Sequence, residues 1–134
     1  MDRNLQLLGI ARKAGMLAVG CDAVGVAART GKARLVISAS DASEGSLRRT
    51  RYATETSSAA YVMVPYTKLE LGNVTGRGSP GTVAILDTGL AASFVRGLAQ
   101  TDPKRYGQTA ELLTQKAQAQ LKKKKPANTR RTAQ

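Results

Sequence analysis

The sequence predicts an α/β protein: a three-layer α/β/α sandwich around a small mixed central sheet of about four strands, followed by a basic C-terminal tail. Short apolar runs alternate along the chain with helical patterns. Glycine, proline or a capping residue separates neighbouring segments. Because strands that alternate with helices favour a sheet covered on both faces, we expect helices on each side of it.

The helices are predicted from their caps. Asp2 can cap a first helix that runs to about Ala14 and ends at Gly15. A second helix is expected from Asp22 to Thr30, closed by Gly31. A capping box at Asp41 to Glu44 predicts a third helix toward Tyr52 or Thr56, and one at Thr67 to Glu70 predicts a short helix that ends near Gly72 or Gly76. The last helix of the body is predicted from Gly89 to about Leu98, with Asp87 as its cap.

Four apolar runs are the predicted strands: Met16 to Val19, Leu35 to Ile37, Tyr61 to Val64 and Thr82 to Leu86. We expect residues 1–101 to form one domain, and residues 102–134 to form a basic tail that is partly helical or disordered. Ala110 to Leu121 can be helical but offers few large apolar side chains to bury, and the chain from Lys122 is expected to order only on a partner.

The charge indicates an anionic partner. The formal net charge is +12, and the chain from Lys116 onward carries seven cations and no acid, which leaves +5 for residues 1–115. A mildly basic body with a strongly basic tail points to nucleic acid, with an anionic membrane surface or a merely solubilising tail as alternatives.

Missing residue types exclude several functions. The chain has no histidine and one cysteine, Cys21, so it can build neither a histidine-based triad or metal site nor an internal disulfide. Without a histidine partner, Cys21 is explained as a small loop residue. No apolar run approaches the roughly 20 residues that a membrane span needs, and the first residues lack a signal-peptide pattern. We therefore expect a cytoplasmic protein that is not an enzyme, with no cofactor, no small-molecule substrate and no membrane partner.

One glycine loop offers a chemical function. Gly20, Cys21 and Asp22 open the second predicted helix, whose first N–H groups and positive dipole end attract anions. We expect a ring of cations around this helix end that would neutralise the phosphates of a nucleic acid: Arg12, Lys13, Lys32 and Arg34.

A second glycine-rich segment, Gly76 to Gly81, matches the dinucleotide fingerprint in letters only. A helix precedes it and a strand follows, the reverse of the order the fingerprint requires. Two interpretations stay open: an ordinary flexible turn, or a loop in which Arg77 reaches phosphate while bare glycine backbone lets RNA approach.

The order of motifs resembles the ribosomal L-seven-Ae/L-thirty-e superfamily, and within it the small bacterial YlxQ-like branch. The resemblance covers about residues 4–98 and is carried by these segments: Leu8 to Gly15, Gly20, Gly31 to Ile37, Ser40 to Ser43, Glu70 to Gly72 and Gly76 to Gly78. It implies an α/β/α sandwich that binds structured RNA, in many relatives a kink-turn. The RNA-contacting loops would be three: Gly20-Cys21-Asp22, Ser40-Asp41 and Arg77-Gly78-Ser79-Pro80.

The first of these loops departs from the family pattern Gly-x-Asn-Glu-x-x-Lys. Gly20 is kept, but Asp22, Ala23 and Val26 replace the asparagine, glutamate and lysine. Asp22 lacks an amide donor, and Ala23 can read no base. Kink-turn specificity is therefore left open, and RNA binding through basic residues is predicted.

The resulting hypothesis is a non-enzymatic RNA-binding protein of the translation machinery, associated with ribosomal RNA. The alternative is a protein-interaction module of the same fold that has lost kink-turn recognition. A second alternative, an enzyme or part of one, has neither a cofactor motif in the correct context nor a credible acid–base pair to support it.

Overall fold

The computed structural model describes residues 2–133, with side chains for residues 2–122. Ten elements follow one another in that range: α1 (Arg3–Lys13), β1 (Leu17–Val19), α2 (Cys21–Arg29), β2 (Leu35–Ser38), α3 (Glu44–Glu55), β3 (Ala60–Met63), α4 (Lys68–Thr75), β4 (Thr82–Ile85), α5 (Thr88–Thr101) and α6 (Pro103–Ala133). The alternation of strands and helices is the predicted one.

The four strands form one mixed sheet in the order β1-β4-β2-β3. β4 is antiparallel to both of its neighbours, whereas β2 and β3 are parallel. In the centre of the sheet Leu35 pairs with Ile85 and Ile37 with Val83. The small mixed sheet is therefore confirmed.

Two apolar cores lie on opposite faces of this sheet. Successive strand residues point to opposite faces, so Leu35 and Ile37 enter a large core that also holds buried residues of α1, α4, α5 and α6. Val36 and Ala84 enter a smaller core with Val24 of α2. With α3 packed beside α2, the molecule has the three α/β/α layers that the sequence predicts.

Most of the predicted caps are present. Asp2 accepts a hydrogen bond from the Asn4 N–H at 2.7 Å, and Asp87 accepts one from the Leu90 N–H at 2.9 Å. Thr67 and Glu70 form the predicted capping box of α4. These local signals are short in range, which is why the sequence reveals them.

The capping box predicted from Asp41 to Glu44 is wrong. Ser43 is the N-cap of α3, and its hydroxyl accepts from the Ser46 N–H at 3.1 Å. The Asp41 carboxylate instead accepts from the Lys68 N–H at 2.8 Å. Asp41 therefore ties the segment after β2 to the start of α4, a contact that spans 27 residues.

The first half of α6 buries more than expected. Tyr106, Ala110 and Leu113 lie in the large core, and the Tyr106 hydroxyl donates to the Met63 carbonyl at 2.7 Å. Within the segment from Ala110 to Leu121, Leu113 is the one large apolar side chain that is buried, whereas Leu112 and Leu121 are exposed. The additional burial comes from Tyr106, which precedes that segment and helps to pack the helix on α5 and β3. The division of the chain at residue 101 stays a prediction.

The backbone of α6 continues to Ala133, where the sequence predicted disorder from Lys122. Lys122 to Lys125 are good helix formers, but Pro126 and Asn128 in the same segment are not, so helix propensity alone does not account for the difference. The side chains of residues 123–134 lie outside the described residues, so the predicted attraction of this tail for RNA stays a prediction. Among the described residues, no helix has both the length and the apolar character that a membrane crossing requires.

Candidate nucleic-acid interface

Three loops meet at one edge of the sheet. β1, β2 and β3 run in the same direction and β4 in the opposite one, so the ends of β1 and β2 lie beside the start of β4. The Gly20 N–H donates to the Thr82 carbonyl, and the Ala39 N–H donates to the Gly81 carbonyl, both at 2.9 Å. We call this edge, formed by residues 20–22, 39–43 and 76–81, the loop edge.

The loop before β4 is packed against α4. A Cβ at Gly72 would lie 1.6 Å from the Gly78 carbonyl oxygen, so the α4 backbone and this loop touch directly. Gly76 and Gly78 have φ of 71° and 40°, which favours glycine at both positions. Packing and turn geometry thus explain these glycines, and the loop is held in place against the helix.

The packed loop presents Arg77, Gly78 and Ser79 at the surface, whereas Pro80 is buried. Ser40 of the neighbouring loop is also exposed, and its N–H donates to the Tyr66 carbonyl at 2.9 Å. The three predicted RNA-contacting loops therefore share one surface, with Pro80 as a supporting residue beneath it.

Arg12 reaches the loop before β4 from the last turn of α1. The Ala11 carbonyl accepts from the Met16 N–H and the Met16 carbonyl from the Leu86 N–H, so the Arg12 backbone, like that of Lys13, lies near the start of β1, remote from Gly20. The exposed Arg12 side chain extends from there, and its guanidinium lies 3.5 Å from the position a Cβ would take at Gly76. Arg12 and Arg77 are therefore two exposed cations of this loop and its surroundings.

The other three predicted cations lie at the opposite end of the sheet. The Arg34 N–H donates to the Ile85 carbonyl, at the end of β4 that is remote from Gly20. Lys32 follows the C-terminus of α2, and Lys13 lies just before β1 begins. Thr82 and Ile85 are three residues apart on β4, about 10 Å. The expected ring of four cations around the α2 N-terminus is therefore wrong, because β1 and α2 each span the molecule between the glycine loop and these residues.

An ion pair stands at the α2 N-terminus in place of that ring. Gly20 has a φ of 94° and supplies no side-chain cap, and the next residue, Cys21, lies with its Sγ 3.4 Å from the Ser46 Oγ of α3. The Asp22 carboxylate pairs with the guanidinium of Arg49. The hydrogen bond that the Arg49 guanidinium donates to Asp22 is the main cause that raises the pKa of Arg49. Asp22, which stands where the superfamily that the sequence resembles has an asparagine, thus pairs with an arginine of the neighbouring helix α3.

The cations that the sequence analysis missed lie on α3. Arg48, Arg49 and Arg51 are exposed along this helix, next to α2. Three arginines within four positions form the densest arginine cluster before the tail, and that density was the available signal. The sequence analysis named cations only in or near its two glycine-rich segments, and α3 belongs to neither.

A groove of about 1060 Å³ runs between α2 and α3. We call it the α2–α3 groove; the lining residues that matter below are Val26, Arg29, Arg48, Arg49, Arg51 and Tyr52. Both helices start at the loop edge, so the groove leads away from it along the protein surface. Among the described side chains, no three histidine, cysteine, aspartate or glutamate residues come together as metal ligands.

Solved structures show a similar architecture. A Bacillus halodurans protein of unknown function matches with a TM-score of 0.65 and 24% identity over 72% of this chain and 97% of its own. The Giardia lamblia 15.5kD RNA binding protein matches with a TM-score of 0.57 and 20% identity over 72% of this chain and 82% of its own. This chain shares their fold. No family model matches the chain, and no curated protein sequence does.

Proposed function

We propose that this chain is a non-enzymatic RNA-binding protein of the translation machinery that grips structured ribosomal RNA at its loop edge. The observation that carries the proposal is the convergence of three loops from distant parts of the sequence beside exposed Arg12 and Arg77. Backbone N–H groups of the α2 N-terminus add an anion-attracting field to the same surface.

The shared fold supports this proposal. One structural neighbour is described as an RNA binding protein, and the motif order of this chain resembles the ribosomal L-seven-Ae/L-thirty-e superfamily and its YlxQ-like branch. The loops that the resemblance assigns to RNA are the loops that form the loop edge. A cytoplasmic location and the absence of catalysis belong to the same proposal.

The chemistry of the loop edge favours phosphate contacts over base reading. Asp22 is occupied by Arg49, Ala23 carries no polar group, and Val26 is apolar. The contacts left for RNA are guanidinium groups and exposed backbone, which position a nucleic acid rather than read its sequence. We propose recognition of a folded RNA shape, with the kink-turn as one candidate.

The experiment compares two arginines. Arg77→Ala removes a cation at the loop edge, whereas Arg96→Ala removes an exposed cation on α5. In fluorescence anisotropy titrations with a bulged RNA hairpin, Arg77→Ala should weaken binding about threefold to tenfold, and Arg96→Ala much less. Equal losses would show that only net charge matters and would overturn the proposed site.

A pull-down with and without nuclease addresses the alternative of a protein-interaction module. Partners lost after RNA digestion support the proposed function, and partners that persist support the alternative. Crosslinking in cells, followed by sequencing of the attached RNA, identifies the RNA itself.

A further inference from the structure

The α2–α3 groove contains an aromatic and an aliphatic side chain that take no part in the proposed binding of structured RNA at the loop edge. Tyr52 of α3 is 67% exposed and Val26 of α2 is 50% exposed, and both line the groove. Single exposed apolar side chains are ordinary on a protein surface, but these two line one groove together and give it an apolar surface. The groove therefore combines an apolar floor with cationic walls.

Charge selects an anionic occupant. Arg29, Arg48, Arg49 and Arg51 line the groove against two acids, Asp22 and Glu55, and Asp22 is already paired with Arg49. Arg29 folds back over α2, with its Nη1 3.4 Å from where a Cβ would stand at Gly25. The guanidinium groups of Arg49, paired with Asp22, and of Arg29, beside Gly25, thus lie along the groove from the start of α2 to its middle.

The direction of the groove favours an unpaired strand. Helices that pack against each other leave a shallow groove along their contact, which one extended strand can follow. The groove starts at the loop edge and follows the nine residues of α2, about 13 Å. A strand that leaves a structured RNA held at the loop edge can therefore continue directly into the groove.

We propose that the α2–α3 groove binds unpaired nucleotides that adjoin the structured RNA, with a base stacked on Tyr52 and phosphates held by the flanking arginines. The inference rests on the proposed function. Stacking on an aromatic ring with arginine contacts to phosphate is the usual way in which proteins hold single-stranded RNA. An acidic peptide is the competing occupant, but the arginines are spread along a groove that continues from the RNA-gripping surface, which favours RNA.

The experiment uses the full chain and two RNAs in anisotropy titrations: a bulged hairpin with a blunt end, and the same hairpin with a four-nucleotide single-stranded extension. The extension should tighten binding by the wild-type chain. Tyr52→Ala should weaken binding of the extended hairpin by about fivefold to a hundredfold, which removes most of this gain. The same variant should leave the affinity for the blunt hairpin unchanged. Tyr61→Ala is the matched control, because Tyr61 is also exposed, at 38%, but lies on β3 outside the groove.

A second variant tests the same groove by charge. Val26→Glu places an acid on its floor and should also remove the gain, whereas Ile10→Glu changes an equally exposed aliphatic residue on α1, 56% exposed, and should not. Thermal unfolding confirms that each variant is folded.

Four results would contradict the inference in distinguishable ways. Binding of the blunt hairpin with no gain from the extension, or a gain that survives Tyr52→Ala, overturns the groove while the proposed function stands. Failure of the wild-type chain to bind either RNA overturns the proposed function as well. A glutamate-rich peptide that binds in a Tyr52-dependent manner, and is not displaced by the extended hairpin, makes the groove a protein site.

Discussion

At the scale of single residues, Tyr66 connects the start of the chain to the loop edge. It is buried, and its hydroxyl donates to the Asp2 carboxylate at 3.0 Å. Its carbonyl accepts from the Ser40 N–H. Burial, with the adjacent Asp2 carboxylate, raises the pKa of Tyr66 to about 12. One tyrosine thus holds both the N-terminus of α1 and one of the three loops.

The raised pKa predicts a loss of stability in strong base. Tyr66 ionises near pH 10 in the unfolded chain and near 12 in the folded one, so its contribution is complete below pH 10 and lost as the pH rises toward 12. Tyr66→Phe should lower the free energy of unfolding by about 1 kcal/mol at pH 8, through the lost hydrogen bond. Because phenylalanine does not titrate, urea unfolding at pH 11 should show a smaller difference. A difference that stays constant from pH 8 to 11 would contradict this.

At the scale of elements, local signals were sufficient for the boundaries but not for the contacts between elements. The Thr67 to Glu70 capping box is local and is correct. Asp41 and Ser43 can both cap a helix, and the choice between them was made by the distant Lys68 N–H. Likewise, no sequence pattern says that Asp22 of α2 meets Arg49 of α3. The elements were therefore predictable, and the pairings that shape the site were not.

The Asp22–Arg49 pair predicts a variant with tighter RNA binding. Asp22→Asn removes a negative charge at the loop edge and releases the Arg49 guanidinium for phosphate. Both side chains are exposed, so the pair contributes little to stability. Affinity for the bulged hairpin should rise severalfold in low salt, and the advantage should shrink as salt increases.

The control for this variant is Glu111→Gln, which makes the same change in net charge on α6. It should leave the affinity close to that of the wild-type chain. If both variants gain equally, the effect is one of overall charge and the Asp22–Arg49 pair does not limit binding.

At the scale of the whole molecule, the cations occupy two ends of the sheet. Arg77 lies at the loop edge and the Arg12 guanidinium reaches Gly76, whereas Lys13, Lys32 and Arg34 lie at the opposite end. The sequence analysis placed Arg12, Lys13, Lys32 and Arg34 in one ring because they are close along the chain to Gly20. Strands and helices that cross the molecule separate them, and only the sheet order shows which residues share an end.

The α/β/α architecture, in contrast to the placement of the cations, could be predicted from local signals. Each strand is a short apolar run and each helix has a recognisable stop, so the layers follow from local periodicity. Burial of Tyr106 and Leu113 in the large core was missed because it depends on where α6 docks. Prediction thus succeeded where the information is contained in one segment and failed where two segments meet.

The central claim is that structured RNA binds at the loop edge, and chemical-shift mapping of backbone amides by NMR tests it most directly. On addition of a bulged RNA hairpin, the largest shifts should fall on three segments: residues 20–22, 40–41 and 77–79. Shifts confined to Lys13, Lys32 and Arg34, at the other end of the sheet, would contradict the claim.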